Sequence, residues 1–299
     1  MTLSWWLCKI GERPNNDLPC IAHGEKAVKT SAAPGDGLAV AISAGQPLAL
    51  NRVFNEDITI LSFRHSRWRS EQDRRQHDET PDDLIIRDAG QVFSSRLIEV
   101  DASGGVAPEC REMHISGQRL AQIHEQSHGV LPALDFSSPV IKRPELVRLF
   151  WDTHWLFEQH NECSLLSSTY LTWLVSAIAQ RSSGKVLKLS SSRCQHRPYR
   201  AVEYLRAHFQ EKVSLSDLAH VCETNPYTLL RQFKQAFGVA PHDYLLAYRI
   251  FRAKQYLQVG LPCSEVALLC GFSDQSHLNR RFKQRLGVSP GSIVPRKFD

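Results

Sequence analysis

The chain has 299 residues, of which 42% are hydrophobic and 22% are charged, and its formal net charge is +5. This composition is typical of a globular protein of about two domains, and no apolar segment reaches the roughly 18 residues of a membrane span. The start, MTLSWWLCKIGERP, lacks the apolar run of a secretory signal, and the eight cysteines include no Cys-x-x-Cys pair. We therefore expect a cytoplasmic protein with no membrane segment, with reduced thiols, and without a disulfide framework or zinc ribbon.

The positive charge is concentrated in the last third of the chain. Residues 199–299 contain 14 Lys and Arg against 8 Asp and Glu, whereas the remaining residues contain 22 against 23. A basic domain attached to a neutral one indicates binding to a polyanion, of which nucleic acid is the simplest. A basic surface that is merely solvated explains the charge alone equally well.

The first part of the chain has the pattern of short strands followed by helices. Between residues 38 and 115, β-rich segments are separated by Gly, Pro, Asn or Asp, which predicts a small antiparallel β-barrel. Helical spacing then predicts helices over 116–129, 144–160 and 163–181. The two longer helices pack on the barrel or form a dimer face. The six strand segments are LAVAI, LALNRVF, DITILSF, DLIIR, RLIEV and REMHI.

One stretch of the predicted barrel, FRHSRWRSEQDRR, is rich in arginine. Guanidinium groups bind phosphates and stack on bases, which makes an anionic effector one candidate ligand. The stretch is followed by DASGG, and together they resemble the cyclic di-GMP motif of PilZ domains. The Arg-x-x-x-Arg spacing of that motif is missing, however, and Val106 occupies a glycine position. A sugar, an aromatic acid or another metabolite is the alternative effector, and a solvated loop is the alternative role. The candidate effector residues are Arg64, Arg67, Trp68, Arg69, Arg74, Arg75, Asp101 and Ser103.

The string HEQSH fits the His-Glu-x-x-His pattern of zinc proteases. Gly129 and Pro132 end the predicted helix directly afterwards, and no further ligand motif follows. A zinc-dependent hydrolase at His124 and His128 is therefore the weakest alternative. We expect no catalytic residues, no metal site, no cofactor and no enzymatic activity.

The segment RSSGKVLKLSSSRCQHRP is rich in serine and basic residues and is predicted to be a linker. The sequence thus divides into a first domain of strands and helices (1–180), a linker (181–198) and a basic second domain (199–299). Within the last domain, FKQAFGVAP at Phe233 recurs as FKQRLGVSP at Phe282. The match extends on both sides of these nine residues, so the domain contains a duplicated unit.

Each copy predicts a short helix, a tight turn and a second helix. Helix-starting residues precede the helices, and a glycine suited to the left-handed conformation follows each second helix. Apolar residues at i, i+4 and i+8 face inward, which leaves a polar face of the kind that enters a major groove. The caps are Ser214 with Asp217, Asn225, Asp274, Gly238 and Gly287, and the apolar stripes are Leu229, Phe233 and Phe237 and then Leu278, Phe282 and Leu286.

A single helix over 242–259 is predicted to connect the two copies. Eighteen residues of helix are about 27 Å long, and adjacent major grooves on one face of DNA lie about 34 Å apart. One chain can thus present two recognition helices to neighbouring DNA segments without dimerising.

Over residues 199–298 this arrangement resembles the DNA-binding domain of the AraC/XylS family of bacterial transcription regulators. The resemblance is carried by SLSDLA, YTLLRQFKQAFG, YRIFRAKQYL and GFSDQSHLNRRFKQRLGVSPGSI. The sequence departs from the family at Leu278, where many relatives carry Phe, and in the ending GSIVPRKFD. The resemblance implies that the DNA-facing residues are Tyr227, Thr228, Leu230, Arg231, Gln275, Ser276, His277 and Arg280.

The resemblance extends more loosely to a cupin-like sensor domain, through DLIIRDAGQVFSSRL and LDFSSPVI. It implies an α+β chain in which a cupin-like antiparallel barrel with helices precedes an all-α domain of two helix-turn-helix units joined by a long helix. The implied function is a ligand-responsive transcription regulator, an activator, with double-stranded DNA, RNA polymerase and a small-molecule effector as partners. A homodimer is one candidate assembly, and a purely structural dimerisation module is the alternative role for the first domain.

Overall fold

The computed structural model describes residues 28–32, 38–44, 49–101, 108–126, 134, 136–159, 165–180 and 197–294. Within these ranges the chain forms strands, then helices. The strands are β1 (Val28–Ala32), β2 (Leu38–Ala44), β3 (Ala49–Phe54), β4 (Ile58–Arg64), β5 (Ser66–Gln72), β6 (Arg75–Glu79), β7 (Leu84–Arg87), β8 (Val92–Val100), β9 (Glu109–Ile115) and β10 (Val140–Ile141). The helices are α1 (Gly117–Gln126), α2 (Pro144–Gln159), α3 (Leu165–Gln180), α4 (Arg197–Ala207), α5 (Leu215–Val221), α6 (Pro226–Phe237), α7 (Pro241–Gln258), α8 (Cys263–Leu269) and α9 (Gln275–Leu286), followed by a 3-10 helix at Pro290–Ser292.

The strands form two antiparallel sheets. Sheet A has the order β1-β2-β9-β4-β7-β10, and sheet B has the order β3-β8-β5-β6. The sheets face each other, because Leu61 and Ile85 of sheet A share a buried cluster with Trp68 of sheet B. The prediction of an antiparallel, cupin-like barrel ahead of a helical domain is confirmed.

Helices α2 and α3 cover the other face of sheet A. Ile60 of β4 and Met113 of β9 are fully buried in one hydrophobic cluster with Phe150 of α2 and Leu171 of α3. Side chains alternate along a strand, so Leu61 next to Ile60 points into the layer between the sheets instead. The two long helices therefore pack on their own sheet.

The arginine-rich stretch runs from the end of β4 through β5 to the first residue of β6. The sequence analysis did not predict β5 or β6 as strands. The two strands pair from Trp68 with Glu79 to Gln72 with Arg75. The turn between them consists of Asp73 and Arg74, both with positive φ (51° and 64°), as expected for a two-residue hairpin turn.

The C-terminal helices follow the predicted duplication. Helices α4, α5 and α6 form the first helix-turn-helix unit, α7 is the connecting helix, and α8 and α9 form the second unit. The connecting helix was predicted at 242–259 and is observed one residue earlier at each end. Helix α4 begins inside the predicted linker, whose preceding residues lie outside the described ranges.

Sheet B also contributes to the core of the helical domain. Phe54 of β3 is 3% exposed, and its ring lies edge-on to Tyr244 (5.5 Å between centroids), Tyr248 (5.2 Å) and Phe251 (5.3 Å) of α7. Val92 of β8 belongs to the same cluster. The sandwich and the helical domain are thus in direct contact. In the described parts of the chain, no helix is both long and apolar enough to cross a bilayer.

Candidate nucleic-acid interface

The first helix-turn-helix unit has capped helices. Before α5, the Ser214 hydroxyl accepts from the Asp217 amide at 3.1 Å, and the Asp217 carboxylate accepts from the Ser214 amide at 2.9 Å. Before α6, the Asn225 side chain accepts from the Thr228 amide at 2.8 Å, and Pro226 occupies the first helical turn. These bonds satisfy amides that a helix start leaves without partners, so the start of the recognition helix is fixed.

The second unit repeats the cap of the recognition helix with a different residue, whereas Pro262 before α8 makes no side-chain cap hydrogen bond. Asp274 accepts from the His277 amide at 2.8 Å and begins α9. This hydrogen bond is the first cause of the lowered pKa of Asp274, so its carboxylate is charged at neutral pH. Both recognition helices end at a glycine with φ of 71°, Gly238 after α6 and Gly287 after α9.

The apolar stripes face inward in both units, as predicted. In α6, Leu229 and Phe233 are fully buried, and in α9, Leu278 and Phe282 are fully buried. Burial of this face on each helix orients the opposite face toward solvent.

The structure leaves most of the residues implied to face DNA accessible. Tyr227 is 86% exposed, and Arg231 on the same helix is also exposed. In α9, Gln275, Ser276 and Arg280 are exposed. The remaining three, Thr228, Leu230 and His277, are half-buried.

His277 is held by its surroundings. Its Nδ1 lies 3.2 Å from the Ser273 hydroxyl, and its ring lies edge-on to Phe272 with centroids 5.4 Å apart. Burial lowers the pKa of His277, and the nearby Arg281 and Arg280 lower it further. At neutral pH this side chain is therefore an uncharged hydrogen-bonding group rather than a phosphate-binding cation.

Sequence reasoning missed a contact between the two domains. The register of β3 against β8 shifts between Leu50 and Val53, and Arg52 within this shift has a φ of 49°. Such a bulge redirects a side chain, and Arg52 Nη1 here lies 2.8 Å from Asp243 Oδ2 of α7. Arg285 of α9 donates to the Arg52 carbonyl at 2.9 Å.

Arg285 has the burial of a core residue, at 5% exposed. Its Nη2 lies 3.3 Å from Asp243 Oδ1, so Asp243 is shared by two arginines from different domains. A buried arginine needs partners, and the partners come from β3 and α7.

The β5–β6 turn contacts the other recognition helix. Arg74 Nη2 lies 3.4 Å from the Lys234 carbonyl near the end of α6. A Cβ at Gly238 would lie 3.2 Å from the Asp73 Cα. Sheet B therefore contacts both helix-turn-helix units, at the end of each recognition helix rather than on its exposed face.

The predicted effector arginines do not meet in one site. The Arg64 guanidinium lies 3.8 Å from the centre of the Trp151 ring, on the side of sheet A that carries α2. Trp68 is buried between the sheets, and its Nε1 donates to the Ser66 hydroxyl at 3.1 Å. The two side chains therefore point to different layers of the sandwich.

The other arginines of this stretch already have partners or lie elsewhere. Arg67 pairs with Glu99 at 3.2 Å and Arg69 with Asp78 at 2.6 Å, both on the outer face of β5. Strand alternation separates these residues from Trp68. This corrects the expectation of a single guanidinium site for cyclic di-GMP. Arg74 lies in the turn against α6, Arg75 is exposed on β6, Asp101 is exposed after β8, and Ser103 lies outside the described residues.

The layer between the sheets contains polar residues that the sequence analysis did not single out. Glu79 of β6 is fully buried and accepts from Arg87 of β7 at 2.9 Å, which links the two sheets. On β9, His114 Nε2 lies 3.2 Å from Glu112 Oε2, and His114 Nδ1 lies 3.2 Å from the Thr59 hydroxyl. The sequence does contain a signal for Arg87, Glu112 and His114. These three residues alternate in phase with apolar residues of the same strands that point between the sheets.

The predicted zinc pair cannot be evaluated as a site. His128 lies outside the described residues, and so does the side chain of His124 near the end of α1. Among the residues that are described, no group of three or more His, Cys, Asp or Glu side chains is placed to hold a metal ion.

Comparison with known proteins supports the helix-turn-helix assignment. A family model described as "Helix-turn-helix domain" matches residues 218–295. The chain is 38% identical over 88 residues to "Probable transcriptional regulator LumQ" of Photobacterium leiognathi, which covers 29% of this chain and 36% of that protein. It is 33% identical over 144 residues to an uncharacterised HTH-type regulator, YbfI, of Bacillus subtilis, which covers 48% and 52%. It is 31% identical over 137 residues to "HTH-type transcriptional activator RhaS" of Enterobacter sp., which covers 46% and 49%.

The matched segments thus span about half the length of these curated relatives or less. A solved structure, that of ToxT from Vibrio cholerae O395, is similar to the whole arrangement, with a TM-score of 0.62, 11% identity, and coverage of 85% of this chain and 96% of that one. A second ToxT structure, described as bound to an unsaturated fatty acid, matches with a TM-score of 0.60, 11% identity, and coverage of 85% and 93%. At this identity the likeness establishes the fold alone.

Two capped helix-turn-helix units, each with an exposed polar recognition helix, define the C-terminal third of the chain as a DNA-binding domain. The family model over residues 218–295 and the relatives named as HTH-type regulators bear out the predicted resemblance of this domain to the AraC/XylS family.

Proposed function

We propose that the protein is a sequence-specific DNA-binding transcription regulator whose two recognition helices contact neighbouring segments of one duplex. The observation that carries the proposal is the accessibility of both recognition faces while sheet B contacts the same helices only near their ends. Arg231 and Arg280 suit bidentate contacts with guanine, and Gln275 suits contact with adenine.

Activation is the direction of regulation that we propose. The relative RhaS is named a transcriptional activator, and this chain matches it beyond the helix-turn-helix units, over 137 residues. The proposal implies RNA polymerase as a partner at the promoter and the cytoplasm as the place of action. It implies no catalytic role and no cofactor.

Selection from a random duplex library tests the DNA-binding proposal. The full chain should enrich sequences that contain two short conserved segments about one helical turn apart. The same enrichment with the double variant Arg231→Ala, Arg280→Ala should recover little sequence preference. Enrichment of no sequence by the wild-type chain contradicts the proposal.

We propose further that a polar small molecule binds between the sheets and controls the DNA-binding domain. Glu79 Oε2 and Ser95 Oγ are buried there without a hydrogen-bond partner, and buried polar atoms normally have one. Together with Glu112, His114 and Arg87 they supply donors and acceptors for a hydroxylated or charged metabolite. The arginines first assigned to cyclic di-GMP do not contribute to this layer.

A thermal-shift panel of sugars, aromatic acids and cyclic di-GMP tests the effector proposal. A true effector should raise the unfolding temperature of the wild-type chain but not that of Thr59→Val, which removes a hydroxyl from this layer. Thr172→Val is the matched control, because the Thr172 hydroxyl bonds to a carbonyl within α3 at 2.9 Å. A shift that persists in Thr59→Val places the ligand elsewhere.

Effector binding between the sheets would change the DNA affinity of the helical domain through the contact between that domain and sheet B. An effector changes DNA affinity only if it binds better to one arrangement of the two domains. Ligand-induced movement of β6 or β8 would act on Phe54 and Arg52 through the same sheet. Purely structural docking of the first domain is the competing role, and it predicts equal DNA affinity with and without effector.

We also propose self-association through the outward face of α3. Leu166 and Trp173 are more than half exposed, and the Tyr170 ring lies 5.8 Å from the Trp173 ring. Exposed apolar residues grouped on one helix mark an interaction surface. Sedimentation analysis should detect a dimer that Trp173→Glu converts to a monomer, and a monomeric wild-type chain at all concentrations contradicts this assembly.

A further inference from the structure

One guanidinium group on the connecting helix contacts both helix-turn-helix units. Arg249 of α7 donates from Nε to the Phe209 carbonyl at 2.6 Å and from Nη2 to the Glu211 carbonyl at 2.7 Å, and both carbonyls follow α4 of the first unit. Its Nη1 donates to the Gly271 carbonyl at 2.8 Å, in the turn between α8 and α9 of the second unit. All three acceptors are main-chain atoms.

The chemistry of this contact requires arginine. A guanidinium presents its donors in a rigid plane, so three carbonyls bound at once fix their relative positions. A lysine ammonium rotates freely on a flexible stem and does not impose the same geometry. The bonds join segments 22 and 40 residues away from Arg249 along the chain, so they act between units rather than within one.

The two units also meet at Gly271 itself. This glycine has a φ of +71°, and a Cβ there would lie 2.5 Å from the Gln210 carbonyl oxygen and 2.9 Å from Arg249 Nη2. The turn of the second unit therefore lies directly against the loop of the first. The contact leaves no room for a side chain, so the two units meet backbone to backbone at this point.

We propose that Arg249 is a positioning residue for DNA recognition, which sets the rotation and separation of the two recognition helices and hence the spacing of the two DNA segments. This inference rests on the proposed two-segment DNA contact. Helix α7 fixes the distance between the units, but a single helix does not by itself fix how each unit is turned about its axis. The Arg249 hydrogen bonds and the Gly271 contact supply that constraint.

The consequence is a narrow choice of spacing in DNA. Each base pair added between two segments moves the second by about 3.4 Å along the duplex and turns it by about one tenth of a helical turn. A rigid pair of units accepts one spacing, whereas a pair free to rotate accepts several. The exposed residues of the recognition helices determine which bases are selected in each DNA segment. Arg249 determines the number of base pairs between the two segments.

Selection from a random duplex library with the full chain tests this inference, with the distribution of spacings as the readout. The wild-type chain should enrich one spacing. Arg249→Met keeps the unbranched apolar stem but removes the guanidinium donors. It should reduce the preference for the wild-type spacing over spacings one base pair shorter or longer by about tenfold, equivalent to one or two hydrogen bonds. The segments themselves should be unchanged, because the recognition helices are untouched.

A glycine pair provides the second variant and its control. Gly271→Ala should broaden the spacing in the same way, since its Cβ would displace the Gln210 carbonyl. Gly260→Ala carries the same type of backbone strain, with a φ of +89°, but its Cβ would meet nothing within 4 Å, so it should keep the wild-type spacing. Circular dichroism verifies that each variant is folded. If Arg249→Met does not fold, the spacing selected by Gly271→Ala decides the outcome.

The outcomes separate this inference from the function on which it rests. Enrichment of no sequence by the wild-type chain overturns both. Enrichment of two segments at one spacing by the wild type, Arg249→Met and Gly271→Ala alike overturns the role of Arg249 alone. A loss of affinity at every spacing without broadening also overturns it, since that is the effect of general destabilisation.

Discussion

At the scale of single residues, the recognition helices separate exposed polar side chains from buried ones that hold the fold. Arg231 and Arg280 are exposed at equivalent positions of the duplicated unit, whereas Arg285, one turn beyond Arg280, is buried in the domain contact. Similar chemistry on one helix therefore serves two purposes. The distinction depends on what lies opposite each arginine.

Replacing either exposed arginine should weaken specific DNA binding. Arg231→Ala or Arg280→Ala is expected to lose about 1–3 kcal/mol on the selected site and to relax base choice at one segment. Fluorescence anisotropy on selected and random duplexes measures both effects. Arg148→Ala, an exposed arginine of α2, is the control and should bind as the wild type does. Equal losses on selected and random DNA contradict a base-contacting role.

Glu112 should make stability depend on pH in the acid range. Burial opposes its ionisation, but the hydrogen bond from His114 and the charges of His114, Lys254 and Arg87 hold its pKa at about 2, below the ordinary 4.5. Because the pKa is lower in the folded state, the ionised carboxylate stabilises the fold above pH 4.5, and this contribution is lost as the pH falls toward 2.

Glu112→Gln removes that titration. The difference in urea midpoint between pH 5 and pH 3 should be smaller in the variant than in the wild-type chain. Asp152→Asn, at an exposed carboxylate of α2, is the control and should keep the wild-type difference. An unchanged pH difference in Glu112→Gln shows that the carboxylate is not stabilised as the geometry indicates.

At the scale of elements, the helices of the C-terminal domain lie where the sequence predicts them, whereas two strands of sheet B, β5 and β6, were not predicted. The caps at Ser214, Asn225 and Asp274 are found where the local pattern predicts them, because a cap is a contact over three residues. Strands β5 and β6 were missed, since charged residues at alternate positions resemble a solvated loop. Strand β5 pairs with β8, which is distant in the sequence, and β6 pairs with β5 at the edge of the sheet.

The cap of the first recognition helix gives a test of element stability. Asn225→Ala should lower the free energy of unfolding by about 1 kcal/mol, because the Thr228 amide loses its acceptor. Asn279→Ala, an exposed interior position of α9, is the matched control and should be neutral or slightly stabilising, since alanine is the better helix former. Urea denaturation compares the two, and equal effects contradict a capping role.

At the scale of the whole molecule, sheet B of the first domain contacts both recognition helices. Phe54 and Val92 contribute buried apolar side chains to the helical domain, with Arg52, Asp243 and Arg285 beside them. A chain built this way should unfold as one unit, although its halves resemble separate domains. The N-terminal domain thus shares part of its hydrophobic core with the helical domain.

Phe54→Ala tests this coupling. Removing a buried phenylalanine costs about 3–5 kcal/mol, and here the loss falls on the contact between the domains. Calorimetry should show one unfolding transition for the wild-type chain and two for Phe54→Ala. Phe150→Ala is the matched control, because Phe150 is fully buried in the cluster between sheet A and its helices. A single, unshifted transition in Phe54→Ala contradicts the coupling.

The charge of the C-terminal domain predicts the salt dependence of binding. Counterion release makes the logarithm of the affinity fall linearly with the logarithm of salt concentration, with a slope set by the phosphates contacted. Titration of a selected duplex at several salt concentrations measures that slope. A flat response contradicts an electrostatic contribution from the 14 Lys and Arg of residues 199–299.

The sequence by itself determined the duplicated helix-turn-helix units, their caps, their buried stripes and their exposed polar faces. All of these depend on residues within a turn or two of each other, and helical periodicity makes such contacts predictable. The strand-and-helix layout of the first domain was predictable for the same reason.

The tertiary structure alone decided how these parts act together. Arg285 meets the Arg52 carbonyl across 233 residues of chain, and Arg249 meets its carbonyls across as many as 40. The tertiary structure also places the arginines of β4 to β6 on separate surfaces, whereas their proximity in the sequence had indicated one anion site. Such contacts depend on which surfaces the fold brings together, because neither periodicity nor composition specifies the partner of a side chain far along the chain.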